Sequence, residues 1–295
     1  MIPIIFCLAL VVFWIRTLSS SNAVLLEYNE SEPISTLSNA EFCQLLDFSS
    51  LSTTLERYVE HVAIYFENLT TGCTFTHVGQ QEFFAASITK APYALWLYMQ
   101  AEQGLIDLEE MITYTEADYL GGSGMIRLHY EFGHSFTISR LIELNLYESD
   151  NIATGMLQRR FGQEGYRDFV TTLGGRGELV GDILGSRITA EEAGLFAREI
   201  FNYTQTDGRY GQILKQNLLS NQFPFIVSDY PVASKTGWYH RYGGAWHDMA
   251  IIYAPSPFIL VIISSDKTGT DEDHAVYQAI SQAFQEFNRI NFPVH

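Results

Sequence analysis

The apolar and polar positions divide this chain into an apolar leader, strand-like ends and a helical middle. Ile2 to Ile15 is almost unbroken apolar sequence closed by Arg16. That run is short for a membrane span and suits the core of a signal peptide. Ser21-Asn22-Ala23 offers a small-x-small cleavage site, although no Lys or Arg precedes the run. Residues 1–23 are therefore read as a signal peptide or an uncleaved membrane anchor. Either reading places the rest of the chain outside the cytoplasm, secreted or held at the outer face of the cytoplasmic membrane. The polar, acidic stretch 24–36 is read as a tether.

From Leu37 the periodicities are those of a folded domain. Leu37 to Val59 reads as one or two helical segments. His61 to Glu67 and Cys73 to Val78 read as strands around the turn Asn68-Leu69-Thr70-Thr71-Gly72. Ala91 to Gln100 is a helical run with Pro92 in its first turn, and helical character is expected to continue from Glu102 to Tyr114, past Gly104. Tyr119 to Gly124 is a loop. Phe136 to Tyr147, Ala153 to Phe161 and Tyr166 to Leu173 are predicted helices, and Gly174 to Arg187 a glycine-rich loop. Thr189 caps a helix reaching about Asn202, and Arg209 to Leu219 forms another. Pro231 to Lys235, Gly244 to Ala254 and Phe258 to Ser264 are strands, and Asp271 to Arg289 is a closing amphipathic helix.

Strands at both ends with helices between them predict an α/β (α+β) domain over residues 37–295. One antiparallel sheet flanked by the terminal helices takes about 37–85 and 205–295, and an all-helical lobe takes about 86–204. A small-molecule site is expected in the cleft between the two.

Composition narrows the chemistry. A formal net charge of −17 repels nucleic acid and anionic membranes, so no nucleic-acid partner is expected; the domain is read as a monomer. The lysines are Lys90, Lys215, Lys235 and Lys267, so a catalytic amine comes from a short list. Cys7 lies in the leader. Cys43 and Cys73 are then an even pair in an exported chain, open either to a disulfide or to two buried thiols. The histidines show no metal-ligand spacing, and neither metal nor cofactor is expected. His247 and Asp248 are neighbours on a strand, so their side chains face opposite ways and make a poor catalytic pair.

Ser87-Ile88-Thr89-Lys90 opens the first long helix. Residues at i and i+3 share a face, so the Lys90 amine can sit beside the Ser87 hydroxyl, and a serine needs such a base to act as a nucleophile. The helix start adds N–H groups suited to a developing oxyanion. Ser149-Asp150-Asn151 and Lys235-Thr236-Gly237 follow in order. A decoy, Ser264-Ser265-Asp266-Lys267-Thr268-Gly269, contains both outer motifs but follows a strand instead of opening a helix.

The ordered trio resembles the penicillin-recognising serine enzymes, the class A β-lactamases and D,D-peptidases, over roughly Leu51 to Asn288. The resemblance implies a β-lactamase/transpeptidase-like fold and an acyl-enzyme mechanism. It assigns Ser87 as nucleophile, Lys90 as its base and Ser149 as proton relay to the leaving nitrogen. Asn151 would hold the substrate amide, and Lys235 with Thr236 and Gly237 its carboxylate. Apart from the resemblance, Arg241 lies near Lys235 in sequence and is read as a second charge for that carboxylate. The backbone N–H groups of Ser87 and Trp238 would form the oxyanion hole. The small-molecule partner implied is a β-lactam or a peptidoglycan stem peptide. The class A Glu-Pro-x-Leu-Asn string is absent between Asn151 and Thr189, where Glu178 and Asp182 are the acids of the glycine-rich part. That departure implies acylation with slow deacylation. A D,D-peptidase and a penicillin or muropeptide sensor that stays acylated are the alternatives.

Overall fold

The strand-like segments at the two ends of the chain resolve into a single sheet. The structure, a computed structural model, describes residues 37–56, 62–176, 186–239, 244–265 and 271–294. The leader and tether, Glu178, Asp182, Arg241 and Lys267-Thr268-Gly269 lie outside the described residues. Helices α1 (Asn39–Gln44) and α2 (Ser49–Leu55) precede strands β1 (Val62–Asn68) and β2 (Thr74–His77). The two-residue strand β3 (Phe83–Phe84) leads through a 3-10 turn, Ala86–Thr89, into α3 (Lys90–Glu102). Next come β4 (Met111–Thr113), α4 (Ile126–His129), β5 (Ser135–Thr137), α5 (Ile138–Tyr147), α6 (Asn151–Phe161) and α7 (Glu164–Thr172). The chain continues with β6 (Arg187–Ile188), α8 (Ala190–Thr204), α9 (Arg209–Leu219), β7 (Val232–Tyr239), β8 (Ala245–Ile252), β9 (Phe258–Ser264) and α10 (Asp271–Asn291).

The main sheet has the order β2-β1-β9-β8-β7 and is antiparallel throughout. β1 and β9 are buried along their whole lengths. Both faces are covered, which is why they read as near-continuous apolar runs. Successive side chains still part to opposite faces. Val62, Ile64, Phe66, Leu260 and Ile262 pack with Leu51 and Leu55 of α2 and with Tyr277, Ile280 and Phe284 of α10. Ala63, Tyr65, Ile259, Val261 and Ile263 join the core formed with α3, α5 and α8. Helix α8 lies directly on this second face. Its Gly194 lets it approach, because a Cβ there would stand 2.4 Å from the Tyr65 ring.

The expected helical continuation through Glu102–Tyr114 is not found. α3 stops at Glu102, where Gly104 turns left-handed at φ +72°. The N–H groups of Gly104 and Leu105 close on the carbonyls of Ala101 and Gln100, a Schellman stop that terminates the helix. Met111–Thr113 then pairs antiparallel with Ser135–Thr137. That ladder also moves the start of the following helix from Phe136 to Ile138, with the Thr137 hydroxyl capping it by accepting from the Arg140 N–H.

Cys43 and Cys73 form a disulfide, with their Cα atoms 5.2 Å apart. It fastens α1 to the entry of β2. Closing a loop of 30 residues is worth about 3–4 kcal/mol in the chain-entropy view. No helix among the described residues is long and apolar enough to cross a membrane.

Candidate active site

Ser87 sits in a strained, tightly held turn. Phe83–Phe84 pairs with Arg187–Ile188, and the Ala85 N–H donates to the Ser186 carbonyl at 2.9 Å. The backbone then turns left-handed at Ala86, φ +48°. A non-glycine residue there carries steric cost and persists only where its surroundings hold it. Ser87 follows in the 3-10 turn, and Lys90 begins α3. Strand β7 is the outer strand of the main sheet, and its Gly237 lies against this turn. A Cβ at Gly237 would come 2.9 Å from the backbone nitrogens of both Ser87 and Ile88 and 3.2 Å from the Ala86 Cβ. Gly237→Ala is therefore expected to push the turn away and, if Ser87 is the nucleophile that the motif resemblance implies, to slow acylation by about 10²-fold, the usual effect of displacing a reacting group by roughly 1 Å. Penicillin labelling rates checked beside thermal melting decide this; an unaltered rate would mean that the close approach is dispensable.

Lys90 is 3% exposed and Lys235 is 1% exposed. The Lys90 amine donates to the Ser149 carbonyl at 2.5 Å and to Asn151 Oδ1 at 2.7 Å, and stands 3.3 Å from Ser149 Oγ. Lys235 Nζ reaches the same Ser149 Oγ at 3.1 Å and the Thr236 carbonyl at 2.9 Å. Burial, and then the neighbouring Lys235 charge, hold the Lys90 amine well below its usual pKa, with Asp150 opposing them. Burial lowers Lys235 to about 8, with Asp248 opposing. A neutral Lys90 has two N–H bonds, which the Ser149 carbonyl and Asn151 use. Its lone pair is then available to take a proton, and Ser149 Oγ can accept from Lys235 while donating to Lys90. Four separated residues, Lys90, Ser149, Asn151 and Lys235, thus meet in one buried cluster. The Ser87 hydroxyl is not hydrogen bonded to Lys90 among the described residues; the amine engages the Ser149–Asn151 loop instead. Catalytic hydrogen bonds commonly tighten only once substrate is bound.

The loop that presents Ser149 is held mainly by residues outside the three motifs, together with Asp150 and Asn151 of its own motif. Ser149 is itself left-handed, φ +52°. Asp150 is buried and caps α6: its Oδ1 accepts from the N–H groups of Ile152 and Ala153, and its Oδ2 from Ile126. The Ser123 hydroxyl donates to the Ser149 carbonyl, and the Asn151 side-chain amide donates to the Gly121 carbonyl. Gly124 passes so close that a Cβ would meet the Asp150 carboxyl at 2.3 Å. Buried Asn145 donates to the Lys90 carbonyl and accepts from Thr154, which ties α3, α5 and α6 beneath the site. An Asp just before a helical run is a legible N-cap signal, so Asp150 could have been found from sequence. Asn145 carries no comparable signal.

The remaining candidates fall in several places. Thr236 is buried opposite Asp248 on β8. Trp238 is 52% exposed and stacks on Trp246, with ring centroids 6.0 Å apart. Ser264 of the decoy ends β9 and donates to the Trp246 carbonyl. His247 and Asp248 do face opposite ways: His247 contacts the Phe84 carbonyl, while Asp248 accepts from Phe225 and Ile226 on the other side of the sheet. No cluster of three or more metal-ligating side chains occurs among the described residues.

Comparison with known proteins agrees with this architecture. Residues 48–287 match the profile of the "Beta-lactamase enzyme family". No curated protein matches the chain by sequence. A β-lactamase from Sphaerobacter thermophilus superposes with a TM-score of 0.74 at 22% identity, covering 85% of this chain and 100% of the other. A reconstructed ancestral (GNCA) class A β-lactamase gives 0.66 at 21% identity, covering 81% and 98%. A PBP-A variant solved as an acyl-enzyme complex with penicillin G gives 0.66 at 18% identity, covering 84% and 96%. The profile spans most of the domain, and the Ser87, Ser149 and Lys235 segments meet within it, so the chain belongs to the β-lactamase enzyme family and is a β-lactamase-type serine hydrolase.

Proposed function

We propose that this protein acts outside the cytoplasm as a serine hydrolase that β-lactams acylate at Ser87 and that releases the acyl group slowly. The observation that carries the acylation half is the buried Lys90–Ser149–Lys235 cluster beside the Ser87 turn. Ser87 Oγ attacks the lactam carbonyl and its proton passes to neutral Lys90. The backbone N–H groups of Ser87 and Trp238 receive the developing oxyanion. As the C–N bond breaks, the proton returns through Ser149 to the leaving nitrogen. Lys235, Thr236 and Gly237 take the substrate carboxylate, Asn151 its side-chain amide, and Arg241 is a second cation for the carboxylate.

Slow release rests on the carboxylates. Among the described residues none is hydrogen bonded to Lys90, Ser149 or Lys235. Asp150, the nearest in sequence, already accepts three backbone N–H groups. The absence of the Glu-Pro-x-Leu-Asn string between Asn151 and Thr189 supports the same reading; where no carboxylate activates water, hydrolysis of the ester loses about 10²–10⁴-fold. Export is supported by the Cys43–Cys73 disulfide, a bond that persists in oxidising compartments. The acyl-enzyme complex of the PBP-A variant favours a second reading, a D,D-peptidase or a sensor that stays acylated.

Intact mass after mixing with benzylpenicillin tests the proposal. A penicilloyl adduct should accumulate within minutes and outlast gel filtration, and Glu178→Gln or Asp182→Asn should change its lifetime by less than about threefold. Rapid nitrocefin turnover without an adduct, or a large gain in lifetime from either substitution, would overturn slow release. Release of D-alanine from a stem peptide would select the peptidase.

A further inference from the structure

The left-handed backbone at Ala86 raises the question of what holds it. Three main-chain contacts contribute: the β3–β6 ladder, the Ala85–Ser186 hydrogen bond and the close approach of Gly237. One side chain joins them. His247 lies on β8 directly opposite Gly237 and is fully buried. Its Nε2 is 2.6 Å from the Phe84 carbonyl, and its Nδ1 is 3.3 Å from the Ser264 backbone nitrogen. A carbonyl only accepts, so Nε2 carries the proton; Nδ1 is then free to accept from the Ser264 N–H. The Phe83 ring packs edge-on against the imidazole, with centroids 6.3 Å apart. The ring thus bridges the end of β9 to the residue two before Ala86.

We propose that His247 is a positioning residue: its Nε2–H anchors the Phe84 carbonyl and so holds the strained Ala86–Ser87 turn against Gly237 in the geometry that acylation needs. The proposal rests on the reading of Ser87 as the nucleophile. It also gives a role to a fully buried histidine whose further polar neighbour, the Trp246 backbone, belongs to its own strand. Burial lowers its pKa to about 4, so the ring is neutral at neutral pH, as this pair of contacts requires.

Two substitutions separate the two contacts. Asparagine places its amide near the Nδ1 position, so His247→Asn can still accept from Ser264 but does not reach Phe84. Glutamine extends to the Nε2 position, so His247→Gln can still donate to Phe84. His247→Asn should acylate with benzylpenicillin at least about tenfold more slowly at saturation, approaching 10²-fold, with half-saturation changed by less than about threefold. His247→Gln should recover most of the rate. Amide exchange at Ser87 and Ile88, read without any β-lactam, should quicken in the Asn variant only. ¹⁵N NMR of the parent should place the ring proton on Nε2. A parental rate in His247→Asn, equal losses in both variants, or a proton on Nδ1 would each overturn the proposal. If the parent is not acylated at all, the reading of Ser87 falls, while exchange and tautomer still decide whether His247 holds the turn.

Discussion

Ser87→Ala is expected to abolish labelling by a fluorescent penicillin, while Ser264→Ala leaves labelling intact. The two serines sit in the same short motif and differ entirely in surroundings. Ser87 precedes a helix, follows a strained left-handed residue, and shares its turn with a buried lysine whose charge is disfavoured. Ser264 ends a central strand, with its hydroxyl donating to the Trp246 carbonyl and within hydrogen-bond reach of Tyr277. Alanine at position 87 removes the oxygen proposed to attack but leaves the backbone N–H in place, so reversible binding of penicillin should survive. Covalent mass change in the Ser87→Ala protein would show that another residue is acylated.

Lys90→Arg should slow acylation by about 10²–10⁴-fold, the usual worth of a positioned general base. Guanidinium cannot deprotonate at workable pH, and its planar fork does not fit the single-amine site between Ser149 and Asn151. The pH dependence has a definite sign. The proposed reaction needs Lys90 neutral and Lys235 charged. Acylation should therefore rise with pH as Lys90 loses its proton, then fall as Lys235 loses its own around pH 8. Lys235→Met removes the second-largest cause of the Lys90 depression, so the rising limb should move to higher pH. Stopped-flow acylation between about pH 5 and 10 separates the limbs. An Arg variant that acylates at the parental rate, or a rising limb unmoved by Lys235→Met, would rule out this assignment of the base.

Sequence alone was sufficient where the cause is local. Apolar runs, helix caps and turn residues are written within a few positions, so the sheet strands, the Thr189 cap, the Arg209–Leu219 helix and the closing helix were legible, although β7 runs on to Tyr239, past the expected end at Lys235. The order of the three motifs along the chain was legible for the same reason, and with it the family. It erred where a local preference met a distant partner. Glu102–Tyr114 has helical character, but Gly104 stops the helix and Met111–Thr113 pairs with residues more than twenty positions away. The two-residue ladder β3–β6 joins segments about a hundred residues apart, and a two-residue strand has no period to read.

The site followed the same division. Residue types at Ser87, Lys90, Ser149, Asn151 and Lys235 pointed to acyl transfer before any fold was known. Only tertiary structure decided their state. Lys90 is neutral-leaning because the fold buries it and brings Lys235 near, and neither burial nor that proximity is a property of its neighbours in sequence. The left-handed backbone at Ala86 and Ser149 runs against local preference, so no propensity announces it; it exists because Gly237, His247 and the Gly121–Gly124 loop close around those residues from elsewhere in the chain. The Cys43–Cys73 pairing was likewise open until the fold set their Cα atoms 5.2 Å apart. What a residue is can be read along the chain; its charge, strain and pairing depend on what folding brings against it.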